Sequence, residues 1–159
     1  MSAFHPGRRV VTGYTSDGRS TIVQDDVLTS HTYAGVSLCA VWQLESAPTE
    51  VPAPNFEGHG RGSVAVSTTV FPPRQLVGRD RPPGAIGYDA AGFHRTNSVE
   101  IAMVSSGRVT LLLEDGSTTQ LGPGDWVIQN GGLHAWRSEG EEPAVMVWVG
   151  IPGVSRSTS

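Results

Sequence analysis

Twenty glycines and eleven prolines, about a fifth of the chain, are scattered along its whole length rather than gathered in one linker. They leave little room for a helix of ten or more residues. Between these breaks lie short runs rich in Val, Thr, Ile and Leu: Arg9 to Thr12, Thr21 to Gln24, Val36 to Leu44, Val64 to Phe71, Ser98 to Val104, Val109 to Glu114, Trp126 to Gln129 and Ala144 to Val149. Short strands at this spacing predict an all-β barrel or sandwich. Ser16-Asp17-Gly18-Arg19 and Glu114-Asp115-Gly116-Ser117 predict antiparallel hairpins, since Asp-Gly pairs favour the left-handed backbone of a tight turn, and Ser105-Ser106-Gly107-Arg108 is a third turn sequence. Two longer stretches, Ser46 to Gly62 and Leu76 to Phe93, have no strand pattern. Loops of that length in a compact domain are functional lids or else disordered, and the second, which runs directly into His94, is read as a lid.

Composition removes several mechanisms. The chain has no lysine, all eleven cationic side chains being arginine, so Schiff-base chemistry, pyridoxal phosphate (PLP) and a phosphate-loop lysine are excluded. No NAD and no nucleotide is expected either. The single cysteine, Cys39, rules out an intrachain disulfide and a cysteine-rich zinc site, and its apolar surroundings from Val36 to Val41 suit a buried packing role. A net charge of −4 with no basic cluster argues against nucleic acid. The first nine residues contain no apolar stretch of signal-peptide type, and Ala144 to Val149 is too short to span a bilayer, so a soluble cytoplasmic protein with no membrane partner is expected.

The run Ala144-Val145-Met146-Val147-Trp148-Val149 is apolar on both faces. One face should line the barrel interior and the other should meet a partner subunit, giving a homodimer, or else the N-terminal hairpin. The expected division is residues 1–62 as N-terminal strands and loop packing on the barrel or on the dimer partner, 63–153 as the barrel, and 154–159 as a flexible tail.

The segment from Phe93 to Arg137 resembles the cupin superfamily, whose first motif runs His-x-His, three or four residues, Glu, six residues, Gly. His94, Thr96, Glu100 and Gly107 fall on those places, with threonine where the second histidine usually stands. The second motif is matched by Gly124-Asp125, Gly131 and His134; Gln129 stands one residue early in place of the usual proline, and Ser138 replaces the terminal asparagine. The resemblance implies a double-stranded β-helix, or jelly-roll, barrel with an N-terminal hairpin extension. The wording around His94 and His134 is similar to a subgroup of small single-domain cupins, some of them described as polyketide-cyclase-like.

On an extended strand His94, Thr96, Ser98 and Glu100 share one face, and His134 follows a turn that can bring it to them. Two imidazoles and one carboxylate suit Fe(II), and also Mn, Ni or Zn, which makes His94, Glu100 and His134 the expected ligands of a divalent metal ion. Thr96 is a poor ligand whose hydroxyl suits a metal-held water or the substrate. Without metal, Glu100 and His134 are the candidate acid and base. Gln129, Ser98, Trp126 and Trp136 are the candidate substrate contacts, the tryptophans as an apolar wall for a ring. Arg95, turned away from His94 by strand alternation, is read as a surface residue, and His31 and His59 as loop residues. Three functions are expected: metal-assisted transformation of a small apolar or aromatic molecule (dioxygenase, isomerase, cyclase or lyase), metal-free acid/base cyclisation or isomerisation, or non-catalytic ligand binding.

Overall fold

The computed structural model describes residues 7–33, 36–42, 64–74, 76, 89, 91–96 and 98–152. The long segment from Ser46 to Gly62 with His59, most of the expected lid before His94, and the tail from 154 lie outside these. The described residues are all-β: β1 (Arg8–Tyr14), β2 (Ser20–Val27), β3 (Ser30–Tyr33), β4 (Val36–Cys39), β5 (Ala65–Phe71), β6 (Ser98–Ser106), β7 (Val109–Leu113), β8 (Thr118–Leu121), β9 (Trp126–Gln129), β10 (His134–Ser138) and β11 (Ala144–Pro152). The three expected hairpin turns are present, with Gly18, Gly107 and Gly116 at positive φ. Among the described residues no helix is long and apolar enough to cross a membrane.

Six strands form one sheet in the order β2-β1-β9-β6-β11-β5, three form a second in the order β10-β7-β8, and β3 and β4 make a small hairpin. The core lies between the two larger sheets. Val10, Phe71, Ala102, Val104, Val127, Ala144 and Met146 come from the first, and Val109, Leu111, Leu113, Leu121 and Trp136 from the second. Burial of this apolar face is the main force closing the barrel. The β1–β2 hairpin is no external cover: β1 pairs with β9 in parallel, and Val10 is fully buried in the core. Arg8 ties it to the opposite sheet, donating to Asp25 on β2 and to Thr119 Oγ1 and the Gln120 carbonyl on β8.

The strand β11 runs three residues beyond its apolar core, to Pro152, and its outer face stays partly open: Val147 is 36% exposed, and Val66 and Val70 on the edge strand β5 are 73% and 59% exposed. Two strands were not anticipated: Thr118–Leu121 is polar enough to read as loop, and Ser30–Tyr33 carries no apolar alternation. Cys39 is a free thiol of intermediate burial at the end of β4, not the fully buried packing residue expected.

Candidate functional site

Register fixes which side chains share the interior. On β6 and β9, Ala102 lies opposite Val127 and Glu100 opposite Gln129, while β11 places Trp148 beside Ala102 and Gly150 beside Glu100. Ala102 and Val127 belong to the core, and residues two apart on a strand share a face, so Glu100 and Gln129 point into the barrel one step further along. The neighbouring Gly150 offers Glu100 no side chain to pack against. On β10 the same alternation puts His134 beside the core residue Trp136, and His134 is fully buried. His94 joins His134 through a pair of backbone hydrogen bonds, N–H to O at 2.9 and 3.0 Å, and their rings lie 4.2 Å apart between centroids. One end of the barrel is thus polar above an aromatic floor: Trp136 meets His134 edge-on at 6.0 Å and Trp148 edge-on at 5.4 Å.

The turn before β10 makes this possible. Gly131 has φ +72°, and a β-carbon there would lie 2.8 Å from the Thr96 carbonyl; one on Gly132 would lie 2.7 Å from Ser20 Cβ. Glycine at both places lets the turn press against the His94 segment and against β2.

A chain of hydrogen bonds then sets the protonation pattern. The Asn130 N–H donates to Thr12 Oγ1 at 3.1 Å, and that hydroxyl donates to Gln129 Oε1 at 2.6 Å, closer than the Ile128 carbonyl at 3.3 Å. With its oxygen so engaged, Gln129 turns Nε2 to donate to the Gly132 carbonyl at 3.3 Å, and His134 Nδ1 meets the same carbonyl at 2.8 Å. A carbonyl only accepts, so the proton of the neutral imidazole sits on Nδ1 and Nε2 carries the lone pair. Burial, with the neighbouring His94 charge second, pushes the His134 pKa down to about 3 against the pull of the Gly132 carbonyl. Among the described residues, His134 Nε2 and Trp148 Nε1 are buried without a hydrogen-bonding partner. Burial also raises the Glu100 pKa, the Ser98 and Thr96 hydroxyls working the other way; Ser98 Oγ donates to Glu100 Oε1 at 3.4 Å.

These positions sort the candidates. Glu100, Gln129, His134 and Trp136 line the interior, and His94, Thr96 and Ser98 stand at its polar end. Trp126 does not join them: it pairs with Met103 and Arg9 on the side opposite Val127, so the one-residue offset within β9 turns it to the outer face. Arg95 is exposed, 3.6 Å from Glu114, and Arg137 is likewise turned outward, to Glu139. The expected metal set is not assembled. His94 and His134 come together, but among the described residues no three His, Cys, Asp or Glu side chains form a group that could hold an ion. His134 Nδ1 donates to Gly132, which leaves Nε2 as the nitrogen with a free lone pair, and a threonine hydroxyl stands in the second histidine position. Two contributors escaped the sequence reading: Thr12, which reaches the site only through the parallel β1–β9 pairing, and Trp148, which the alternation of β11 from Ala144 and Met146 would have placed inside.

Residues 82–150 match the family model Cupin_2, described as the cupin domain. Two curated relatives from Diaporthe leptostromiformis, phomopsin biosynthesis cluster proteins C′ and D, are each 27% identical over 133 residues, covering 70% of this chain and 68% of theirs. Among solved structures, a double-stranded β-helix protein from Klebsiella pneumoniae is 22% identical with a TM-score of 0.45, covering 64% of this chain and 83% of that one. A cupin protein from Bacteroides fragilis is 17% identical, with a TM-score of 0.45 over 74% of this chain and 90% of that one. The DMSP lyase DddQ from Ruegeria pomeroyi is 20% identical, with a TM-score of 0.44 over 61% of this chain and 42% of that one. Residues 82–150, which carry both motif regions and contribute strands to both larger sheets, are thus similar to the cupin domain.

Proposed function

We propose that the polar end of the barrel binds a small, largely apolar or aromatic organic molecule and moves a proton on it without a resident metal, as an isomerase, cyclase or lyase does. Glu100 is the acid/base group and His134 the fixed hydrogen-bond acceptor that orients the substrate. The observation that carries this is Glu100 itself: an interior carboxyl with Gly150 beside it, its pKa raised by burial. A raised pKa brings a carboxyl closer to working pH, where it can take a proton in one step and return it in the next. His134 is too weak a base for that task at neutral pH, which assigns it to positioning. The curated relatives, named for a biosynthesis cluster, are in keeping with chemistry on a small organic molecule.

The test is deuterium exchange in heavy water, followed by proton NMR, on a panel of small cyclic and aromatic carbonyl compounds. Exchange at the carbon beside the carbonyl, lost in Glu100→Gln with binding retained, supports the proposal. Equal exchange by wild type and Glu100→Gln overturns it. Binding without any exchange overturns it in favour of a ligand-binding protein.

A further inference from the structure

The interior at the polar end offers a ligand a defined set of unsatisfied groups, and their direction narrows what it accepts. His134 Nδ1 donates to the Gly132 carbonyl at 2.8 Å, so Nε2, buried and without a donor among the described residues, can only accept a hydrogen bond. The tautomer is supported from β1, because Thr12 holds the Gln129 oxygen and leaves the Gln129 amide N–H to the same carbonyl. A carboxylate or an ether would set its own lone pair against that of Nε2. A molecule with an O–H satisfies it, and leaving such a buried acceptor unpaired is costly. The second orphan is of the opposite kind: Trp148 Nε1–H is a donor without an acceptor among the described residues, on a ring 5.4 Å from Trp136. An oxygen lone pair on the same ligand suits it. The aromatic faces of Trp136, Trp148 and His94 around His134 favour a flat molecule.

We infer that the molecule bound by this barrel presents a neutral hydroxyl, that of a phenol or an enol, whose O–H is accepted by His134 Nε2. The inference rests on the reading of the barrel interior as a binding site and names its substrate class. Proton transfer beside a carbonyl generates an enol, so the same acceptor serves a compound on either side of such a step.

Phenol and its methyl ether, anisole, test this directly. They differ by the hydroxyl hydrogen and are titrated into the full chain while its histidine side chains are followed by long-range proton–nitrogen NMR. The expected result is phenol binding at least about tenfold more tightly than anisole, a displacement of the His134 Nε2 resonance and retention of the proton on Nδ1. In His134→Phe the preference should vanish. Equal affinity for the two probes overturns the inference and leaves the binding site standing. If neither probe binds to the folded barrel, the binding-site reading fails and the inference with it. Should His134→Phe not fold, the wild-type pair of affinities together with the Nε2 displacement decides the matter.

Discussion

Acidification should loosen this barrel through one buried imidazole. His134 is fully buried, and its pKa falls from 6.5 to about 3, through burial first and the neighbouring His94 charge second. A group with a depressed folded pKa contributes stability that is present above its unfolded value and lost as pH drops, because the unfolded chain takes up the proton more readily. The window therefore runs from about pH 6.5 down to about pH 3. At about 1.4 kcal/mol per pH unit the full loss is on the order of 5 kcal/mol, of which about 3 kcal/mol is gone by about pH 4.5. Against a typical domain stability of about 5–15 kcal/mol this is large. The assay is urea unfolding across that range for wild type and His134→Phe. The variant keeps an aromatic ring, and the Gly132 carbonyl keeps the Gln129 donor. Carboxylates such as Asp25, held below its usual range by Arg8, lose stability on acidification in both proteins, so their effect cancels in the difference. The wild-type curve should fall about 3 kcal/mol further than the variant between about pH 7 and pH 4.5, a midpoint shift of about 1–3 M urea. Parallel curves would refute the buried neutral imidazole and the tautomer argument built on it.

Other consequences follow from the same geometry. Gly107→Ala should destabilise by about 3 kcal/mol or more in thermal melts, since φ is +73° and the added carbon would lie 2.6 Å from Ala144 Cα; Gly116→Ala, also left-handed but with open space around it, should cost only about 1 kcal/mol. Glu100 has a raised pKa, so its ionised form opposes folding as pH rises; Glu100→Gln should melt above wild type at about pH 8, with the gap closing near pH 4, and a variant less stable at both would contradict its burial as a charge. The exposed apolar face of β5 and β11 leads us to propose a homodimer, as that face lies on the sheet's edge strand and carries Val66, Val70 and Val147. Val66→Glu with Val70→Glu should convert a dimer to a monomer in sedimentation; a wild type that is already monomeric removes the proposal.

The all-β class and most of the barrel strands were legible because glycine and proline cut the chain into short β-branched runs, and the hairpins carry their turn glycines in plain view. The strand β8 was not, because Thr118, Thr119 and Gln120 leave it Leu121 as its one apolar side chain. At the site, spacing on β6 foretold that Glu100 faces inward, and the motif located His134. What spacing could not show is the pairing that gives these residues their chemistry. Thr12 lies 117 residues from Gln129, and only the parallel β1–β9 contact makes it the start of the hydrogen-bond chain. Trp126 failed for the opposite reason: its proximity in sequence to the motif says nothing of which face a four-residue strand presents. The metal reading counted donors by type, whereas the fold brings His94 and His134 together without gathering a third such side chain with them among the described residues.

The central claim is that the interior works through a neutral His134 and a protonatable Glu100 rather than through an ion. Elemental analysis of untagged protein, followed by titration with Fe(II), Mn(II), Ni(II) and Zn(II) while the His134 nitrogens are observed by NMR, tests it most directly. The account predicts no stoichiometric metal and a His134 spectrum, with its proton on Nδ1, that none of the four ions changes. One ion per chain, bound with displacement of the His134 signals and lost on Glu100→Gln, would contradict it.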